Sequence, residues 1–176
     1  MINEILLSIV TVTSPNAAVL RQPAEPVTSF GEHTEKFFHS MVATMRNAGG
    51  IGIAAQQVGE TMAVFAVDVS QCVASGDTCA LDRRTVKIRS VSPLAFFNPK
   101  ITKVSEETNV QEEGCLSIPG VRAKIRRANS VAVRYQDEKG DTHELECGGI
   151  FARCIQHEEA HLRGILFTDD AVSGDE

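Results

Sequence analysis

No apolar run in this chain is long enough to cross a bilayer as a helix. The best, Ile5 to Val12, spans eight residues, where a crossing needs about twenty. The first basic residue is Arg21, so this run also lacks the charged flank of an export signal and reads better as a strand. Positive charge is in deficit: 17 Lys and Arg stand against 23 Asp and Glu, a net charge of −6. Nucleic acid is therefore not an expected partner, and neither is a membrane. The five cysteines do not form an even disulfide set. Cys72 and Cys79 could pair in an oxidising compartment, but without an export signal the expectation is reduced thiols and a cytoplasmic location. Internal repeats, low-complexity tracts and linkers are also missing. With 176 residues, 43% of them hydrophobic, the chain suffices for one domain with a core, residues 1–176. Residues 70–92 contain Cys72, Ser75-Gly76-Asp77, Cys79 and Asp82-Arg83-Arg84, and read as a polar surface insertion.

What is present is concentrated near the C-terminus. His157-Glu158-Glu159-Ala160-His161 is an H-E-x-x-H pentapeptide. On a helix, residues four apart share a face, so both imidazoles can reach one metal ion, with Glu158 beside them to handle the proton of a bound water. The alternative is a chance pentapeptide on a polar surface helix. The context favours a helix with a buried stripe. Gly148-Gly149 breaks the chain, and Ile150 to Arg163 runs without Gly or Pro until Gly164. Ile150, Cys154, His157 and His161 follow helical spacing, and buried histidines need partners.

Two histidines do not complete a site. Only fifteen residues follow His161, which leaves little room for a downstream ligand. The upstream candidate is Cys115, within Glu113-Gly114-Cys115-Leu116-Ser117. A lone cysteine is more often a small buried hydrophobe. Combined with two imidazoles, however, a thiolate leaves a tetrahedral ion one open position for water, the mark of a catalytic site. A third segment, Gly50-Ile51-Gly52-Ile53-Ala54-Ala55-Gln56-Gln57-Val58-Gly59, follows a helix read over residues 32–48, whose apolar stripe is Phe37, Phe38, Met41, Val42 and Met45. Small residues let backbone approach a ligand closely, although a tight helix-to-strand turn would look the same.

Together these segments resemble the peptide deformylase family, whose signature motifs are G-x-G-[LI]-A-A-x-Q, E-G-C-L-S and H-E-x-x-H. They stand here at Gly50 to Gln57, Glu113 to Ser117 and His157 to His161, in the family's order. Leu20 to Val27, Phe97-Asn98-Pro99 and Leu166 to Asp169 resemble further family segments, so the likeness covers about residues 9–170. It implies an α+β fold in which antiparallel sheets wrap a central H-E-x-x-H helix. It also implies removal of the N-terminal formyl group from formyl-methionyl peptides of newly made proteins. Cys115, His157 and His161 would hold one divalent ion and a water, and that water would attack the formyl carbon. Glu158 would act as general base and then acid, with Gln57 and the Leu116 N–H stabilising the oxyanion. Gly50, Ile51, Gly52, Ile53 and Gly114 would border the substrate, Ile51 and Gly114 pairing with its backbone. Glu113 and Arg122 match positions that structure the pocket rim or touch substrate, and a solvated surface arginine is an equal reading of Arg122.

The family implies Fe2+ as the usual metal, while imidazole and thiolate also suit Zn2+, Ni2+ or Co2+. One residue departs from the pattern: the family usually has Asp where Ala160 stands, paired with an arginine that Arg127 matches here. A more weakly held or differently tuned metal is the expectation. Many bacterial relatives also carry a basic C-terminal helix implicated in ribosome docking. Here Asp169-Asp170 opens a short acidic tail, so transient ribosome proximity is expected without that docking element. Elsewhere the patterning predicts strands at Ile5 to Val12, Met62 to Val69, Leu94 to Ile101, Ser130 to Tyr135 and Thr142 to Cys147, the last two a hairpin. Two rivals stay open. One is a hydrolase of the same fold acting on another acyl peptide. The other is a structural zinc site closed by Cys147 or Cys154.

Overall fold

The computed structural model describes residues 5–172. Helix α1 (Glu32–Asn47) forms where Phe38, Met41, Val42 and Met45 recur at helical spacing, and all four are buried. Its start is held by Thr34, whose hydroxyl accepts the Gly31 N–H at 3.0 Å. Its end runs into β1 (Gly52–Ala54), a short 3-10 turn (Ala55–Val58) and β2 (Val64–Val67). The remaining strands are β3 (Thr78–Leu81), β4 (Arg84–Lys87), β5 (Leu94–Val104), β6 (Thr108–Cys115), β7 (Ile118–Ala128), β8 (Ser130–Gln136) and β9 (Thr142–Gly148). A single turn, α2 (Ile88–Val91), precedes β5, and α3 (Gly149–Leu162) follows β9.

Among the described residues the strands form two antiparallel sheets. Seven lie in the order β1-β2-β5-β8-β9-β3-β4, and β6 pairs with β7. Strand β2 is buried on both faces, and its alternation assigns each side chain to a layer. Val64 and Ala66 meet α1, together with Ala95 and Phe97 of β5. Phe65 and Val67 face the opposite layer, where Phe96, Val131, Val133, Tyr135 and Leu145 pack against Phe151, Cys154 and Ile155 of α3. A third cluster, including Ile118, Ile125, Leu166 and Phe167, fills the space under the β6–β7 ribbon. The fold is thus mixed α+β, with antiparallel sheets around the H-E-x-x-H helix.

The β8–β9 hairpin lies where its alternating Val131, Val133 and Tyr135 place it, in register from Ser130↔Gly148 to Gln136↔Thr142. Residues 5–12 differ from expectation: they belong to neither sheet, and Val12 already lies in a turn. Their N–H groups bond one at a time to separate elements, Leu7 to Thr44 Oγ1, Val10 to Gln57 O and Val12 to Ser117 O. Such a staple has a strand's composition without a ladder partner. Within residues 70–92 the chain builds the β3–β4 hairpin, docked on β9 through Ala80↔Glu146 and Leu81↔Leu145, with Val73, Cys79 and Ile88 joining the core. All five cysteines are free thiols, Cys72 exposed and Cys79 buried. The end of the acidic tail, residues 173–176, lies outside the described residues.

Candidate active site

Three segments far apart in sequence converge at one end of α3. The first is β1 with its 3-10 turn, closed by Gly59 in the left-handed conformation (φ 89°). Gln57 is buried in this turn, and its Oε1 accepts the Ala54 N–H at 2.8 Å. That bond fixes which way the amide faces, so Nε2 points at Cys115 Sγ, 3.4 Å away. The second segment is the end of β6, where a register shift between Glu113 and Cys115 interrupts the ladder with β7 at Gly114 before Cys115 pairs with Ile118. The third is α3, which carries Arg153, His157 and His161 at four-residue intervals, with Glu158 beside the first histidine.

One ligand atom each from Cys115, His157 and His161 lies within 4.8 Å of the others. Cys115 Sγ and His161 Nε2 are 3.3 Å apart. Sulfur and nitrogen bound to one tetrahedral ion would be separated by about 3.5 Å, so the spacing fits a single small cation. His157 Nδ1 is committed elsewhere, bonding Glu113 Oε2 at 2.9 Å, which leaves Nε2 as its ligand atom. Two buried polar atoms in this cluster, Glu158 Oε2 and His161 Nδ1, have no protein partner. For Glu158, next to the Cys115, His157 and His161 cluster, an unpartnered oxygen fits a group that must meet water. Neither Cys147 nor Cys154 belongs to the triad; the Cys154 thiol lies 3.5 Å from the Ile51 carbonyl.

Electrostatics separate the two glutamates. Burial dominates at Glu158 and raises its pKa; His157 opposes, Glu113 adds to the rise, and the result is about 7. Burial also disfavours charge on Glu113, but bonds from His157 and Arg127 outweigh it and bring the pKa down to about 2. Burial pushes His161 down to about 3, helped by repulsion from His157; at His157 burial is outweighed by bonds to Cys115 and Glu113, which raise it to about 10 in the ion-free cluster, so a cation bound there would displace a proton. Phe167 stacks on the His157 ring, with centroids 5.9 Å apart, and limits its rotation.

The site opens into a cavity of about 650 Å³. Gly50, Ile51, Gly52, Gln57, Gly114, Cys115, Leu116, Arg122, His157 and Glu158 border it, bringing together nearly every residue singled out in the sequence. Ile53 does not join them. Strand alternation turns it, fully buried, toward α1. Glu113 lines the wall, but its carboxylate points inward, held by Arg127 (3.1 and 3.0 Å), Arg153 (2.6 Å) and His157. Arg122 is at the mouth, mostly exposed, 3.5 Å from Glu112. Arg127 has Glu113 as its partner and Asp170 at 3.7 Å, while Glu159 turns away to pair with Arg163. Sequence reasoning missed Arg153. The available signal was its place four residues before His157, a charged side chain within an inward-facing stripe.

Two imidazoles and a buried carboxylate on the H-E-x-x-H helix, met by a thiol from β6 in an antiparallel α+β fold, have the character of a metal-dependent hydrolase. The family model described as polypeptide deformylase matches residues 6–176. A peptide deformylase of Opitutus terrae is 42% identical over 156 residues, covering 88% of this chain and 80% of that protein. The crystal structure of peptide deformylase from Thermotoga maritima superposes with a TM-score of 0.79 at 36% identity, covering 96% of this chain and 99% of that one. A peptide deformylase from Synechococcus elongatus, solved in complex with actinonin, gives a TM-score of 0.80 at 35% identity, covering 95% and 81%. The chain belongs to the polypeptide deformylase family.

Proposed function

We propose that Cys115, His157 and His161 hold the divalent ion with which this enzyme removes the N-terminal formyl group from newly made peptides. One observation carries the assignment: donors from two elements converge at the spacing of a single small ion, beside a buried carboxylate with an unpartnered oxygen. When bound, the ion supplies Lewis acidity and brings the pKa of water toward neutrality. The other tasks fall to protein groups. Glu158 takes a proton from the attacking water and returns it to the leaving amine, breaking the formamide C–N bond. Burial raises its pKa, which favours its holding a proton between the two transfers. The Gln57 amide, kept from flipping by Ala54, presents Nε2 to the developing oxyanion, and the Leu116 backbone N–H is the second donor.

The formyl-methionyl peptide lies extended between β1 and β6. Strand β1 ends the seven-stranded order, and β6 has β7 as its neighbour, so backbone at Ile51 and Gly114 can pair with an added strand. Ile51, Leu116, Ile118 and Ile150 give the cavity an apolar side suited to an unbranched thioether. Arg122 at the mouth meets later residues of the peptide. Ferrous iron is the proposed physiological metal, with zinc, nickel or cobalt able to replace it. No helix among the described residues is long and apolar enough to cross a membrane, and we place the reaction in the cytoplasm, where formylated chains emerge. Anaerobic, iron-loaded protein should deformylate formyl-Met-Ala-Ser, and Glu158→Ala should lose about 100-fold or more of kcat. No turnover by wild-type protein that holds stoichiometric metal would reject this substrate.

A further inference from the structure

Arg153 is a fully charged side chain buried on the inner stripe of α3, one turn before His157. A buried charge is costly unless it is paired and hydrogen-bonded. Here both terminal nitrogens have two acceptors. Nη1 donates to Glu113 Oε1 at 2.6 Å and to Ile125 O at 3.1 Å. Nη2 donates to Asn109 O at 3.0 Å and to Asn109 Oδ1 at 2.5 Å. These four bonds use every N–H on the two nitrogens. Arg153 borders the cavity, but its terminal donors are committed to protein, which argues against a role in gripping substrate.

The bonds lead instead to the ligand cluster. Glu113 is held along one edge by Arg127, through Nε and Nη2, and Arg153 reaches the same carboxylate from α3. With Oε1 held by Arg127 Nε and Arg153 Nη1, and Oε2 by Arg127 Nη2, the carboxylate is fixed so that Oε2 also faces His157 Nδ1. Because Arg153 and His157 stand on the same helix, the contacts close a ring: α3, Arg153, Glu113, His157 and back to α3. Such an outer partner fixes ring orientation and keeps the other nitrogen available as a ligand.

We propose that Arg153 is a positioning residue of the metal centre, acting through Glu113 to hold the His157 ring and so raise affinity for the ion. The inference rests on the reading of Cys115, His157 and His161 as ligands. The competing role is purely structural, a tie from α3 to Asn109 of β6 and Ile125 of β7.

Cobalt(II) binding to the full-length protein separates the two. Affinity is measured by chelator competition, and the thiolate-to-cobalt absorption band reports the coordination environment. Wild type, Arg153→Gln, Arg153→Lys, Glu113→Gln and the Arg153→Gln/Glu113→Gln double variant are compared, with thermal unfolding of each ion-free form. Arg153→Gln should weaken cobalt binding about 10- to 100-fold, and Arg153→Lys should recover part of that loss. The double variant should bind no more weakly than Glu113→Gln alone, because the effect passes through that carboxylate. If the Arg153 variants do not fold, Asn109→Ala should give a smaller loss in the same direction. Unchanged affinity with lowered unfolding temperature, or losses that multiply in the double variant, would overturn the proposal. A wild-type protein without the thiolate–cobalt band, or a band that survives Cys115→Ser, would reject the ligand assignment, and the proposal would fall with it.

Discussion

A methyl group at residue 52 would collide with the machinery of the site. A Cβ on Gly52 would overlap Glu158 Oε1 and stand 2.7 Å from Cys154 Sγ, and one on Gly50 would stand 2.8 Å from Leu116 Cδ1. The glycines of the first motif are thus needed for close approach, and the side chain closest to Gly52 is the proposed base. Gly52→Ala should lower kcat about 100-fold by displacing Glu158, while leaving cobalt uptake unchanged. Parallel activity and metal-binding assays would test this, and loss of metal would point to a different injury. Ala160 is a milder case. Arg127 already has both oxygens of Glu113 and the nearby Asp170, so Ala160→Asp should change metal retention and turnover by well under about tenfold. A larger gain would show that Arg127 lacked a partner. At this scale the sequence was most legible for which residues would meet: His157, Glu158, His161 and Cys115. It was least legible for Ile53 and Glu113, whose direction depends on strand phase and on buried arginines contributed from elsewhere in the chain.

Helix α3 could be read almost to its ends because a glycine marks each boundary. Gly164 has φ 73°, and a Cβ there would strike the backbone carbonyl of Arg21, lying 2.7 Å from its carbon. Gly164→Ala should therefore cost about 1–3 kcal/mol in urea unfolding, from strain and displaced backbone together. A change below ~0.5 kcal/mol would show that the contact relaxes freely. The β3–β4 hairpin is held differently. His143 of β9 places Nδ1 2.8 Å from Asp82 Oδ2, in the hairpin turn, and Nε2 3.2 Å from Asp137 Oδ2. Burial works against its charge, but the bonds to Asp82 and Asp137 prevail and raise its pKa. A raised histidine stabilises the fold fully below its unfolded pKa of about 6.5 and loses that contribution as pH climbs through the folded value. Wild type should accordingly lose more stability than His143→Gln between pH 6 and pH 9. Parallel unfolding curves of the two across that range would contradict the latch. Neither this contact nor the 5–12 staple was visible in sequence: one joins a β9 residue to a turn 61 residues away, and the other has strand composition without strand pairing.

The three motif segments belong to different elements, and the ligand cluster exists only when the sheets and α3 are assembled around it. Anything that binds the assembled cluster and not the unfolded chain must stabilise the whole. Chelation should lower the unfolding temperature, and zinc at 100 times its dissociation constant should restore about 2.7 kcal/mol. Cys115→Ser should abolish the difference in calorimetry. Class and layering were legible here, since period-two strands and a period-3.6 helix with matching apolar faces have few packings. Strand order was not: β3 and β4 lie beyond β9, a pairing that local pattern does not encode. That placement also bears on how the molecules behave toward one another. An open sheet rim is a template on which another chain can add, and long unguarded rims drive aggregation. Strand β9 has seven residues, whereas the rim outside it is β4, four residues with Arg84 and Lys87 at its ends. A segment remote from the chemistry thus gives the sheet a short, positively charged border that discourages edge-to-edge association at high concentration.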